Sequence, residues 1–201
     1  MSDARSDELQ AFVFKNRGAL LAVPAVALAF FGKPSAFGIT VGLPVAFAGE
    51  LIRCWAVGYS GVTTRGDRVT APKLVSAGPY AHVRNPLYLG NFLTALGFGI
   101  AFTGGNASRD KTFLLAASLG FMGALYATIV PHEEGYLQSQ FGAEFERYCE
   151  RVPSIVPLVE PAAQGLGEWD AAAIPNAESR TFVTFGVMLA VLAIKARKAS
   201  P

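Results

Sequence analysis

Four apolar runs, 18–32, 36–59, 86–107 and 112–131, dominate this chain, and together they decide what it can become. A helix needs roughly 17 to 25 mostly apolar residues to cross the hydrocarbon of a bilayer. Each run approaches or meets that length, and 86–107 and 112–131 carry no Asp, Glu, Lys or Arg; Arg109, Asp110 and Lys111 lie between them. A fifth run, 181–194, is shorter and is followed by Lys195, Arg197 and Lys198, so both crossing the membrane and lying on it are open for that segment. The expected fold is all-α: a polytopic integral membrane helical bundle with four to five transmembrane helices. The first run could be mistaken for a secretory signal, but Pro34-Ser35-Ala36 is a poor cleavage site. Ala36 opens another apolar run, which makes a helical hairpin the simpler reading.

Composition supports this class, with 52% hydrophobic and only 16% charged residues over 201 positions and a positive mean hydropathy. A net charge of +2 gives no broad field for nucleic acid, so none is expected as a partner; the lipid bilayer is. The distribution of basic residues says more than their sum. If the four strong runs cross, one side carries Arg5, Lys15, Arg17, Arg65, Arg68, Lys73, Arg84, Arg147, Arg151 and Arg180, and the other Lys33, Arg109 and Lys111. The positive-inside tendency makes the first side cytoplasmic, and the basic tail after 194 fits it best if the last helix does not cross. Cys54 and Cys149, with two His at irregular spacing, support neither a disulfide framework nor a metal site.

Two polar clusters fall on that cytoplasmic side. The first, Gly78-Pro79-Tyr80-Ala81-His82-Val83-Arg84-Asn85-Pro86-Leu87-Tyr88-Leu89-Gly90, runs straight into the third apolar run. Asn85 is a suitable cap and Pro86 a suitable first residue of a helix, which leaves free N–H groups beside Arg84. Such a place can hold an anion or a carboxylate, or Arg84 can simply reach lipid phosphates. Tyr80 and Tyr88 flank the turn, as interfacial anchors or as aromatic faces for a cation such as a sulfonium. The second cluster, His132-Glu133-Glu134, is read as leaving the membrane at Pro131; one of its carboxylates can accept ribose hydroxyls or an ammonium group. Beyond it, Leu137, Phe141, Phe145, Tyr148 and Val152 recur at helical spacing, which predicts a cytoplasmic amphipathic helix ending at Val152-Pro153. Glu50 and Arg53 lie three apart in the second run, either as an ion pair that locks helix packing or as a substrate-binding pair.

The Gly-Pro-Tyr…Arg-Asn-Pro-x-Tyr-x-Gly segment at 78–90, with Glu133-Glu134-x-x-Leu137, Phe141-Gly142, Tyr148 and Val152-Pro153, resembles the isoprenylcysteine carboxyl methyltransferase family, which is related to phospholipid N-methyltransferases. The resemblance covers about residues 50 to 157 and includes Arg53-x-Trp55-Ala56. It implies a membrane enzyme using S-adenosylmethionine at the cytosolic ends of its helices. Cofactor contacts are implied at Lys73, Leu74, Val75, Tyr80, Asn85, Pro86, Leu87, Tyr88 and Glu133. Two departures stand out: Asn85 occupies the place of a His in the eukaryotic members, and Ile129 that of a substrate-binding Arg. The second weakens the case for a prenylcysteine carboxylate as substrate.

The resulting expectation is a methyltransferase domain over 1–157, followed at 158–201 by a connector and a C-terminal hydrophobic helix. Arg84 and Glu133 are the expected catalytic residues, Glu50 and Arg53 the substrate-binding ones, and no metal is called for. The acceptor is a lipid or small lipophilic molecule with a carboxylate, amine or thiol. Methyl transfer from a sulfonium needs proximity, alignment and desolvation rather than a nucleophilic side chain, so a chain poor in Cys, His and Ser motifs can still perform it. Two rivals remain at this point. One is an NADPH-dependent membrane reductase of sterol-reductase type, with Arg65, Arg68 and Lys73 for the nucleotide phosphate; the other is a non-enzymatic membrane scaffold.

Overall fold

The computed structural model describes residues 2–61, 71–162 and 165–199. The described helices are α1 (Ser2–Phe31), α2 (Ala36–Ser60), α3 (Pro86–Thr103), α4 (Ser108–Phe141), α5 (Ala143–Arg151) and α6 (Ala173–Ala199), and no strand occurs among the described residues. A 3₁₀ turn, Gly78–Ala81, leads into α3. Five helices contain stretches long and apolar enough to cross a membrane: Phe12–Phe31, Ala36–Ser60, Pro86–Thr103, Ser108–Phe141 and Ala173–Lys198. The chain is a polytopic, all-helical membrane protein. Backbone polar groups find no water in hydrocarbon, and a helix satisfies them within the segment.

Three expectations change. Pro131 does not end a helix: α4 runs through it for 34 residues, about 51 Å at the standard rise. Proline removes one intrahelical donor and crowds one carbonyl, but it does not prevent the chain from resuming helical geometry, and apolar spans tolerate it; Pro24 and Pro44 sit inside α1 and α2 in the same way. The amphipathic stripe from Leu137 to Val152 is not one helix but the end of α4 and the whole of α5, divided at Gly142, whose φ of +50° favours a residue without a Cβ. The last apolar run is not short, because helix begins at Ala173 among residues too polar to register in a hydropathy pattern. The resulting 26-residue stretch has the length to cross.

The helices divide between two compact units. One comprises residues 18–51, 90–124 and 180–201. Its core joins Leu28, Phe98, Phe102, Phe185, Met188 and Leu192, with Phe185 edge-on to Phe98 at 4.9 Å. Here α2 and α3 touch backbone to backbone along a line of small residues. A Cβ added at Gly42 would meet the Gly97 carbonyl and the Ala101 nitrogen, and one added at Gly97 would meet the nitrogen of Ala46 and the Gly42 carbonyl. Gly38 and Gly49 extend the same line against Gly104 and Gly90. Lipid tails are as apolar as side chains, so close contact rather than hydrophobic exclusion drives such packing. Asn106 ties the loop ends, accepting from the Lys33 N–H at 2.6 Å and donating to the Phe31 carbonyl at 3.1 Å. The Lys195 ammonium meets the Ala29 carbonyl at 2.7 Å, a cation at the C-terminal end of α1.

Gly97→Ala is accordingly expected to cost about 1–3 kcal/mol by overpacking, read as a fall in the thermal unfolding midpoint in detergent. Gly120→Ala, where nothing lies within 4 Å of the added methyl, is expected to leave that midpoint unchanged or raise it slightly. Equal behaviour of the two variants would refute the close-packing account.

The other unit comprises residues 1–17, 52–89 and 125–179. Its small core is Leu74, Phe145, Tyr148 and Val152, which seats the apolar face of α5 on the chain ahead of the 3₁₀ turn. The connector after α5 is tied in through its backbone. The Ser76 and Ala77 N–H groups donate to the Leu166 carbonyl at 2.9 and 3.2 Å, Leu158 N–H to His82 at 2.9 Å, and Ala162 N–H to Ala81 at 2.9 Å.

Candidate functional site

The candidate residues of both polar clusters fall in this second unit. Glu133 and Glu134 are neighbours on α4, and neighbours on a helix point about 100° apart, so the two carboxylates have different surroundings. Glu134 takes a bidentate pair from Arg84, Nε to Oε1 at 3.0 Å and Nη2 to Oε2 at 3.1 Å. The remaining Arg84 nitrogen donates to the carbonyls of Val152 at 2.7 Å and Cys149 at 3.3 Å. Burial alone lowers the pKa of that guanidinium, and the hydrogen bonds and charge of Glu134 more than reverse the effect, leaving it above its ordinary value. Arg84 thus holds three chain segments together: its own loop, α4 and the end of α5.

Asn85 is buried and works sideways rather than as a cap through its amide. Its Nδ2 donates to Glu134 at 3.1 Å and to the carbonyl and hydroxyl of Ser154 at 3.2 and 3.1 Å, while its own carbonyl accepts from Tyr88 and Leu89 N–H in the first turn of α3. Two backbone bonds complete the seam, Arg84 N–H to Pro153 at 2.8 Å and Asn85 N–H to Ser154 at 3.2 Å.

Glu133 faces a different set. The Tyr88 hydroxyl is hydrogen-bonded to its carboxylate, and the Tyr88 ring lies 4.4 Å from that of Tyr126, centroid to centroid. Arg17 of α1 acts electrostatically on both Tyr88 and Glu133; its guanidinium sits 4.0 Å over the Phe14 ring, which in turn packs on His132 at 5.7 Å. Tyr80 is hydrogen-bonded to Ser60, and burial, followed by the charge of Glu133, pushes its phenol up to about 12. At neutral pH it is a hydrogen-bond donor, not a base. The Tyr148 hydroxyl donates to the Tyr80 carbonyl at 2.8 Å, and burial first, then Tyr80, raises its phenol too.

Arg53 is buried next to this group, and its partner comes from far along the chain. Its Nη2 meets both carboxylate oxygens of Glu178 on α6, at 2.8 and 2.7 Å, and Nη1 reaches the Leu87 carbonyl at 3.5 Å. The side chains are only 9% and 1% exposed, which makes this a buried ion pair. Sequence spacing pointed from Arg53 to Glu50. Glu50 is buried as well, and Glu50 and Arg53 each make further interactions. Glu178 gave no signal because the stretch around it reads as connector; the same holds for Arg17, which reads as one more cytoplasmic basic residue. Leu74 is anchored in the α5 core, Val75 is half-buried, and Lys73 is exposed. Arg65 and Arg68 lie outside the described residues.

The fold and these side chains define a multi-pass membrane protein with two inward carboxylates at the ends of its spans, one braced and one facing tyrosines. Over 86 residues the chain is 37% identical to the protein-S-isoprenylcysteine O-methyltransferase of Schizosaccharomyces pombe, covering 43% of this chain and 34% of that protein. It is 31% identical over 124 residues to a probable protein-S-isoprenylcysteine O-methyltransferase of Oryza sativa subsp. indica, 60% of this chain and 61% of that one. At a similar level, 32% over 123 residues, it matches the nickel-cobalt-cadmium resistance protein NccN of Alcaligenes xylosoxydans xylosoxydans, over 61% of this chain and 51% of that protein. The chain thus spans about a third to three fifths of the length of these curated relatives. The resemblance to the isoprenylcysteine carboxyl methyltransferase family rests on relatives that carry its name. No protein-family model and no solved structure matches.

Proposed function

We propose that this protein is an S-adenosylmethionine-dependent membrane methyltransferase acting on a lipid or small lipophilic acceptor, with its active site on the cytoplasmic face. The observation that carries the reading is the division of labour between Glu133 and Glu134: one carboxylate is committed to Arg84 and Asn85, while its neighbour is turned to tyrosines. A carboxylate bonded by a single phenol retains lone pairs for ribose hydroxyls, and aromatic faces attract a sulfonium, so the donor set fits the cofactor. S-adenosylmethionine would supply an electrophilic methyl group on that sulfonium. Glu133, Tyr80 and Tyr88 would hold it, with the first turn of α3 at Asn85, Pro86 and Leu87 and the 73–75 segment as further walls.

The protein's own task is then to bind, orient and dry. Tyr80, its phenol held protonated at neutral pH, would donate a hydrogen bond to the ligand without taking a proton. Arg84 acts in this proposal as a positioning residue: its guanidinium sets where α4 stands against the loop that carries Tyr80 and Tyr88. The acceptor reaches the site from the bilayer between helices. The names of the relatives favour methyl transfer over the NADPH reductase.

Calorimetric titration of S-adenosylmethionine into the detergent-purified protein, with NADPH in parallel, tests the reading. Saturable binding of the first alone is expected. Glu133→Gln is expected to weaken it about ten- to a hundredfold, the equivalent of roughly 1.5 to 3 kcal/mol for hydrogen bonds to a charged group. Binding of NADPH alone would replace the methyltransferase with the reductase, and binding of neither would leave the scaffold.

A further inference from the structure

The connector between α5 and α6 carries large apolar side chains that no helix covers. Val156 is 76% exposed, Val159 98%, Leu166 60% and Trp169 51%. In a water-exposed linker that pattern has no reason to exist, since exposed apolar clusters of this kind mark contact surfaces.

The backbone bonds fix where the segment lies. At one end, Leu158 N–H donates to the His82 carbonyl at 2.9 Å, and a nitrogen of the His82 ring meets the Leu158 carbonyl at 2.9 Å. His82 is four residues ahead of Pro86, where a membrane span begins, so chain length alone keeps it within about 14 Å of that entry point. At the other end, Asp170 N–H donates to the Gly58 carbonyl at 2.8 Å, and the Trp169 indole lies where a side chain at position 58 would be. Gly58 is in the last turn of the α2 span, so the indole ring is level with the end of that span. Tryptophan favours that level, with its ring in apolar surroundings and its N–H in reach of polar ones. Glu160, Glu168 and Asp170 are interleaved with the apolar side chains and exposed; charges of this kind are costly in hydrocarbon and limit the depth the segment can take.

We propose that residues 156–162 and 165–169 form an interfacial element that rests in the headgroup layer of the leaflet holding this end of the spans, its apolar side chains against the upper acyl chains and its acidic ones toward water. The occupant of this surface is lipid, which ties a stretch that reads as a linker to the bilayer at two points. The proposal rests on the membrane crossing of α2 and α3 alone and is independent of the methyl-transfer reading.

The chain has two tryptophans, Trp55 and Trp169, so Trp55→Phe leaves the connector's indole as the sole tryptophan reporter. The full-length variant is reconstituted in phosphatidylcholine vesicles whose acyl chains carry bromine either near the glycerol or near the methyl end. Blue-shifted emission, strong quenching by the shallow bromines and weaker quenching by the deep ones are expected. A second reporter, Val159→Trp on a Trp55→Phe, Trp169→Phe background, places an indole at the most exposed position and is expected to behave alike. Quenching of both reporters by aqueous iodide and not by brominated lipid would overturn the proposal in favour of a solvated linker. Quenching by neither would overturn it in favour of protein cover, such as a second copy of the chain.

Discussion

Replacement of Glu178 by Gln is expected to lower the free energy of unfolding by about 3–5 kcal/mol, because it removes the charge of the carboxylate that takes both bonds from Arg53 Nη2 in a buried ion pair. The side chains are 9% and 1% exposed, so water cannot take the place of the lost partner. Arg53→Ala is expected to do similar damage from the other side. Replacing both at once, Arg53→Met with Glu178→Leu, is expected to recover most of the stability, since a well-packed apolar pair avoids the desolvation that the ionic pair must overcome. Equilibrium unfolding in mixed micelles reads these differences. The same double variant separates two roles for Arg53. If it only locks α2 to α6, turnover returns with stability; if it also contacts the acceptor, stability returns and turnover does not. A single Glu178→Gln variant as stable as the parent would show that the pair is not the lock described here.

Arg84→Lys is the second substitution with a large expected effect, in spite of keeping the charge. Lysine has one ammonium on a flexible stem, whereas Arg84 makes two parallel bonds to Glu134 and sends a third nitrogen to the Val152 and Cys149 carbonyls. An ammonium has three donors for those four bonds and one nitrogen where Arg84 has three, so at least one bond has no donor in the variant and the others lose their geometry. With hydrogen bonds to charged groups worth roughly 1.5–3 kcal/mol, a loss of about 3 kcal/mol is expected, together with weaker ligand binding as the loop bearing Tyr80 and Tyr88 comes away from α4. A double-mutant cycle with Glu134→Gln should give a coupling above about 1 kcal/mol, since the two side chains form one unit. Additive effects would show that Arg84 stabilises through the Val152 and Cys149 carbonyls alone.

The membrane class was legible from run lengths, because a bilayer imposes its thickness on sequence more strictly than any soluble core does. The meeting of Arg84 and Asn85 with the glutamates after Pro131 was legible too, since antiparallel crossings bring alternate loops to one side. What could not be read was the role of Glu134. The sequence singled out Glu133, one turn before Leu137, but with Pro131 read as a helix exit its neighbour was only a solvated carboxylate; in the continuous α4 it is the one that Arg84 and Asn85 hold. Glu50 beside Arg53 is visible in a sequence through its three-residue spacing, while Glu178, 125 positions away, is visible only in space. Arg17 and Glu178 were invisible for the same reason. The small-residue line on α2 was present all along as Gly38, Gly42 and Ala46 at four-residue spacing, a helix-contact pattern that was there to be read.

That line has a consequence for how the chain can change. In an ordinary core a bulkier side chain can be accommodated when its neighbour becomes smaller, so substitutions travel in compensating pairs. Between α2 and α3 the neighbour of each glycine is largely a carbonyl oxygen or an amide nitrogen, which no substitution can shrink. Gly42 and Gly97 therefore have no second-site suppressor within the contact. A selection for revertants of Gly97→Val should return true reversions, or changes at a distance that part the helices, and not a repacked interface.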